Sequence, residues 1–256
     1  MSGERPGRPP LSARSLALST LLGTEPPVLP VRALAALGEL FGISSGTMRT
    51  ALSRMVSAGE LSADNGAYRL LGRHLERQAS QEVGRHPTIR SWEGAWHVAF
   101  VRAEGRDLAR RRDFRTTMTN HRFGELRPEV WLRPANLPAP AEPGDDVLMT
   151  TGPLRTGDER GLAAELWDLD GWQAEALALI AELADAGDEL ARSDDDALIP
   201  PDFLLSAAVL RHLRADPLLP VELQPERWPG DDLRVAYERF DERFKARLRS
   251  FLQRAS

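Results

Sequence analysis

Residues 44–71 constrain the chain more tightly than any other stretch, because a helix with one apolar edge runs directly into a hairpin signal. In SSGTMRTALSRMVSAGEL, Met48, Ala51, Leu52, Met55 and Val56 recur at i, i+3, i+4, i+7 and i+8, the spacing of a single buried stripe. Ser44 can cap this helix and Gly59 can end it. LSADNGAYRLL follows, with two short apolar-containing runs joined by Asn65-Gly66, the dipeptide favoured in a type I′ turn. Upstream, SARSLALSTLLG runs from Ser12 to Gly23, and VRALAALGELFG lies between Pro30 and Gly42; both carry helical spacing and read as two further helices. Three helices followed by a hairpin is the order of a winged helix-turn-helix.

If Met48, Leu52 and Met55 face the core, the opposite side consists of Ser45, Arg49, Thr50, Ser53 and Arg54, with Ser44 and Thr47 at the helix start. These are small hydroxyls and forked cations. In a major groove such groups read base edges and approach phosphate closely at the positive end of a helix. The hairpin would place Asn65, Tyr68 and Arg69 beside the backbone or minor groove. An amphipathic helix with a merely solvated outer face has the same apolar stripe, so the helix order and the Asn-Gly turn carry the distinction. The expected partner is double-stranded operator DNA.

Charge is distributed in keeping with that reading. Overall the chain is at −5, yet residues 1–90 hold 11 Arg against 7 acids, 91–135 hold 9 Arg against 6, and 136–256 hold 13 Lys and Arg against 25 acids. A basic front and an acidic rear suit a chain whose first part meets a polyanion. Cysteine is absent, which excludes thiol catalysis and cysteine metal sites. MSGERPGRPPLSARS lacks an apolar core of its own and reads as a tail. No run approaches the roughly 20 apolar residues of a membrane helix, so a cytoplasmic protein without membrane contact is expected.

Breaks at Gly84-Arg85-His86-Pro87, at PANLPAPAEPGDD (134–146) and at ARSDDDALIPP (191–201) predict three modules, 11–83, 88–190 and 197–256. In the second, Trp96, Val98, Phe100 and Val101 read as a strand. An Arg-rich helix follows, then strands at Val130-Trp131-Leu132 and over 145–154, a small α+β unit. GLAAELWDLDGWQAEALALIAELADAG reads as helix with a break at Asp170-Gly171. The last module has a helix across DFLLSAAVLRHLRAD and a final one, DDLRVAYERFDERFKARLRSFLQ, with apolar spacing from Leu233 to Leu252.

ARSLALSTLLG, GISSGTMRTALSRMVSAGEL, WEGAWHVAFV, FGELRPEVWLRP, ELWDLDGW and DPLLPVELQPERWPG occur in the order seen in the PaaX family of transcriptional regulators, which the chain resembles over roughly residues 11 to 240. The resemblance implies a multi-domain α+β protein: an N-terminal winged helix-turn-helix, a central ferredoxin-like domain and a helical C-terminal domain. It further implies a homodimeric repressor, not an enzyme, released from its operator by an aryl-acetyl-CoA thioester such as phenylacetyl-CoA, without a bound cofactor. Where the family pattern has a polar stretch resembling His-Glu-Tyr-Arg, this sequence has Ala207-Ala208-Val209-Leu210, so the resemblance reaches the regulator class further than the effector's identity.

Other constellations have two readings each. RDLARRRDFR (106–115) offers Arg111 and Arg115 to the phosphates of an effector, and equally forms a solvated face laced with i,i+4 pairs. Among six tryptophans, Trp167 and Trp172 are the candidates for an aromatic effector wall, although tryptophan is more often core. Histidines 74, 86, 97, 121 and 212 have no metal-ligand spacing, and Asp194-Asp195-Asp196 reads as a solvated turn. A metal-dependent nuclease built on the central domain is the enzyme alternative, with Glu93 near the strand start as its carboxylate.

Overall fold

Ser12 and Ser44 each accept the amide three residues on, Ser15 N–H at 3.1 Å and Thr47 N–H at 3.2 Å, and so start the helices they precede. The computed structural model describes residues 8, 10–71, 84–102, 108–138 and 147–256. His74, Arg106, Asp107 and most of the 134–146 segment lie outside them.

Two compact units emerge, Met1–Gln81 with Ala178–Leu210 and Asp232–Ser256, and Glu82–Leu177 with Arg211–Asp231. The first unit opens with α1 (Ala13–Leu22), β1 (Val28–Pro30), α2 (Val31–Leu40), α3 (Ser45–Ser57), β2 (Leu61–Asp64) and β3 (Ala67–Leu70). The expected three helices and hairpin are present. Leu16, Leu21, Leu34, Leu37, Met48 and Leu52, each fully buried, form the core where they meet. β1 is an addition that the sequence pattern did not signal: Val28, Leu29 and Pro30, preceded by Pro27, pair antiparallel with β3, making a sheet of order β1-β3-β2. Asn65 (φ 49°) and Gly66 (φ 76°) are both left-handed, as a type I′ turn requires.

Three longer helices cross from one unit's residues to the other's: α6 (Leu169–Arg192), α7 (Ile199–Ala215) and α8 (Gly230–Arg254). Within the first unit Phe203 of α7 sits edge-on to Phe41 at 5.5 Å and to Phe244 of α8 at 6.2 Å. Leu233, Tyr237, Phe240, Phe244, Leu248 and Leu252 line the buried side of α8. Val209 and Ala208, inside the apolar Ala207–Leu210 stretch, are buried in α7. The acidic turn is tied rather than merely solvated, since Arg254 Nη2 donates to both carboxylate oxygens of Asp196, at 2.8 and 2.9 Å.

The second unit holds a four-stranded antiparallel sheet of order β5-β6-β4-β7, from β4 (Ala95–Val101), β5 (Gly124–Arg127), β6 (Val130–Pro134) and β7 (Val147–Pro153). β6 lies between β4 and β5, and α4 (Leu108–Asn120) connects the latter two, which is the split β-α-β of ferredoxin-like sheets. β5 is a second strand beyond the sequence reading. One face of the sheet packs Ala99 and Trp131 against Met118 of α4 and Phe123. The other packs Trp96, Val98 and Leu132 against Ala163 and Leu166 of α5 (Glu159–Leu166) and against Leu219 and Leu223. Gly124 is required there: a Cβ on it would stand 2.7 Å from Leu166 Cβ.

The helical run after residue 159 breaks at Trp167-Asp168, not at Asp170-Gly171. Trp167 is extended, and Asp168 Oδ1 accepts the Gly171 amide at 3.0 Å, so Gly171 belongs to the first turn of α6. The glycine that resembled a stop leaves room for the cap: a Cβ there would collide with the Asp168 carboxylate.

Candidate nucleic-acid interface

Gly42, at φ 70°, ends α2 in a left-handed step, and Ile43 N–H reaches back to Gly38 O at 2.8 Å. That is the tight Schellman closure, and it turns the chain into α3 within four residues. Gly38 permits the approach, because a Cβ on it would lie 3.1 Å from Met48 Cε and 3.3 Å from Ile43 O. The far end of α3 closes identically, with Glu60 N–H on Met55 O at 2.9 Å and Gly59 at φ 68°. Glu60 is 4% exposed and accepts from Nη2 and Nε of Arg14 at 2.6 and 2.9 Å, clamping α1 to the α3–β2 corner. That bond, the largest influence on Arg14, holds its guanidinium above the ordinary pKa.

So fixed, α3 presents a face free of acid. Met48, Leu52 and Met55 are buried; Thr47, Arg49, Thr50, Ser53 and Arg54 are exposed, as is the capping Ser44, while Ser45 is half-buried. No described residue hydrogen-bonds or ion-pairs with the guanidinium of Arg49 or Arg54. Thr50 is partly committed, its hydroxyl donating to Gly46 O at 2.9 Å, which leaves its methyl and oxygen lone pairs outward. Thr47 Oγ1 lies 2.9 Å from Ser44 Oγ. On the hairpin, Asn65 stands exposed at the turn. Arg69 is exposed opposite Val28 and Ser62, whereas Tyr68, opposite Leu29 and Ala63, is half-buried on the other side of β3. Arg49 and Arg54, on a capped helix, can meet phosphates and base edges without first breaking a side-chain pair with any described residue, and the hydroxyls beside them keep lone pairs to offer.

The four effector candidates are not brought together. Arg111 is exposed on α4; Arg115 is engaged, 2.8 Å from Glu125 and 5.9 Å above the Trp131 ring. Trp172 has no free face, since His212 stacks on one side and Trp228 packs parallel to it as well, both at 4.4 Å. Its Nε1–H donates to His212 O at 3.2 Å, and His212 Nε2 lies 3.0 Å from Trp172 O. Burial pushes the His212 pKa down, partly offset by that hydrogen bond and by Glu175 and Asp216. Trp167 borders a cleft of about 380 Å³, whose wall continues through Leu169, Leu223 and Pro225. Asp158, Asp168 and Asp170 also line it together with Arg160, the first two capping α5 and α6. The cleft was not read from the sequence, although its two caps repeat one pattern, Asp-x-x-Gly, at 158–161 and 168–171.

On the opposite face of the sheet, Arg133 is buried and donates to His121 O at 2.9 Å and Pro138 O at 2.6 Å, countering the negative carbonyl end of α4. Burial lowers its pKa to about 10. His97, beside it on β4, is pushed down by burial and then by Arg133, and its Nδ1 lies 2.7 Å from Thr151 Oγ1. Among the described residues no group of three or more His, Asp or Glu is placed to hold a metal ion.

Three family models match in chain order: a PaaX-like protein over residues 12–73, the PaaX protein central Cas2-like domain over 89–143, and the PaaX-like protein C-terminal domain over 167–254. The chain belongs to the PaaX-like family. The PaaX-like N-terminal match spans α1 through β3 and so contains the whole exposed face of α3. A solved structure, the uncharacterized protein Rv0674 from Mycobacterium tuberculosis, is 39% identical and superposes with a TM-score of 0.71, covering 94% of this chain and 98% of that one. No curated protein is significantly similar to the chain. No helix among the described residues is long and apolar enough to cross a membrane.

Proposed function

We propose that the chain is a cytoplasmic DNA-binding transcriptional repressor of the PaaX type, which binds a two-fold operator as a homodimer and lets go when a small acyl-CoA-like effector binds its rear modules. The observation that carries this reading is the outer face of α3, where Arg49, Thr50, Ser53 and Arg54 stand exposed on a helix that contains no acid. Arg49, Thr50 and Ser53 read bases, Arg54 and the capped helix start hold phosphate, and Asn65 and Arg69 on the hairpin flank the groove. Two copies follow from the operator's symmetry, since each half-site needs its own helix about one helical turn away.

Residues 11–83 serve as the reading module, 88–190 and 197–256 as the receiving ones. The wall of Trp167, Leu169, Leu223 and Pro225 suits an aryl or acyl group, whereas three carboxylates against the single cation Arg160 leave the lining net negative, so the polyanionic end of a thioester lies away from them. Release requires that the effector bind the DNA-incompetent arrangement more tightly than the competent one.

The test is selection of a DNA site by the full chain, followed by mobility shifts with Arg49→Ala and Ser53→Ala. Each variant is expected to lose affinity by about 1–3 kcal/mol and to relax specificity at one base position. Two variants that keep full sequence preference would remove α3 as the reading helix.

A further inference from the structure

Most of α4 faces outward. One narrow stripe holds it to its sheet: Met118 is buried, and Phe114, half-buried one turn earlier, sits edge-on to Trp131 at 6.1 Å. Arg110, Arg111, Arg112, Thr116, Thr117 and Asn120 stand exposed on the rest of the helix.

A solvated helix ordinarily gains from opposite charges three or four residues apart. α4 is arranged against that rule. Its one acid, Asp113, lies three residues from Arg110 but is too near in sequence to face Arg111 or Arg112. What those two have at i+4 and i+3 is Arg115, a like charge. Arg115 is already engaged, by Glu125 and by the Trp131 ring. No described residue hydrogen-bonds or ion-pairs with the guanidinium of Arg111 or Arg112. One turn on, the Thr116 and Thr117 hydroxyls donate to Arg112 O and Asp113 O at 2.9 and 3.0 Å, which leaves their lone pairs to offer, as with Thr50 on α3.

We propose that the outer face of α4 is a second contact for duplex DNA, in which Arg111 and Arg112 hold backbone phosphates and read no sequence. From the α3 reading it takes only the partner; a different helix, in the other unit, makes the contact. Shape and charge select the occupant. A small phosphorylated ligand needs a concave site, whereas these cations stand on the convex side of a helix. Duplex DNA presents one negative charge per about 1.7 Å of its axis, so neighbouring arginines each find a phosphate, and each contact releases a condensed counterion. Arg110 adds to the local positive field, and the like-charge repulsion among Arg111, Arg112 and Arg115 is relieved when phosphate comes between them.

The test is fluorescence anisotropy of two labelled duplexes, one carrying a site selected by the full chain and one of random sequence, titrated with full-length protein over a range of salt. R111A/R112A removes two cations that no described residue pairs with, so the fold is retained, and an unchanged urea transition checks it. This variant is expected to lower the slope of log affinity against log salt by about two units and to weaken binding about tenfold, alike on both duplexes. R111K/R112K keeps both point charges and is expected to stay within about threefold of the wild type. R239A/R249A removes the same charge from exposed positions of α8 and is expected to leave the slope in place. A wild-type chain that binds neither duplex, an R111A/R112A variant with an unchanged slope, an R239A/R249A variant that loses as much, or an R111K/R112K variant as weak as R111A/R112A overturns the proposal. If R111A/R112A keeps its slope while Arg49→Ala relaxes site preference, α4 fails and the α3 reading stands. If R111A/R112A lowers the slope while Arg49→Ala and Ser53→Ala keep full preference, the reverse holds.

Discussion

Leu52 and Ser53 are consecutive residues of α3 on opposite sides of it, and truncating each to alanine separates folding from recognition. Leu52 is fully buried. Leu52→Ala removes its isobutyl group from the junction of the three helices, and the lost transfer energy plus the cavity left behind amount to about 3 kcal/mol. With a urea dependence of about 2 kcal/mol per molar, the unfolding midpoint falls by about 1.5 M. Ser53 is exposed and its hydroxyl bonds to no described residue, so Ser53→Ala changes stability by less than about 0.5 kcal/mol while removing one polar group from the face proposed to meet DNA. The assay is urea unfolding followed by far-UV circular dichroism, since all six tryptophans belong to the second unit and their fluorescence follows that unit instead. Operator mobility shifts run alongside. The reasoning is refuted if Ser53→Ala lowers the midpoint as far as Leu52→Ala does, or if Leu52→Ala leaves it in place, because either result means that the buried side of α3 is not the one described.

Arg54→Ala is expected to lower the slope of log affinity against log salt by about one unit with little change in sequence preference, the signature of a lost phosphate contact. Gly124→Ala forces a Cβ against Leu166 and should cost the second unit about 1–3 kcal/mol, visible as an earlier fluorescence transition in urea. The depressed His97 and His212 pKa values make the second unit sensitive to acid: the unfolded chain takes up protons first, so stability is full above the ordinary histidine value and declines as pH falls through and below it. Fluorescence-monitored urea midpoints at about pH 7.5 and 5.5 should therefore differ, and His97→Gln should narrow the difference.

Local chemistry made much of the first unit legible. Ser12, Ser44, Gly23, Gly42 and Gly59 act through neighbours three to five residues away, and Asn65-Gly66 sets its own turn, so caps and hairpin need no distant partner. The outer face of α3 was legible for the same reason, since a helix with one apolar stripe specifies its other side. β1 and β5 escaped because three or four residues beside prolines carry no period; they exist only by pairing with β3 and β6. Asp170-Gly171 misled, because a glycine inside a capping turn looks the same in sequence as a glycine that ends a helix. Trp172 showed the limit for sites: its indole is closed off by His212 and Trp228, 40 and 56 positions away.

By itself, then, the sequence determined the helices, their caps, the wing-like hairpin and the family, all of which depend on short-range spacing. Only the tertiary structure decided which strands lie at the edges of the four-stranded sheet and which of the two candidate tryptophans lines a cleft. Those properties belong to surfaces assembled from separated segments, and spacing along the chain does not encode which surface another segment will cover.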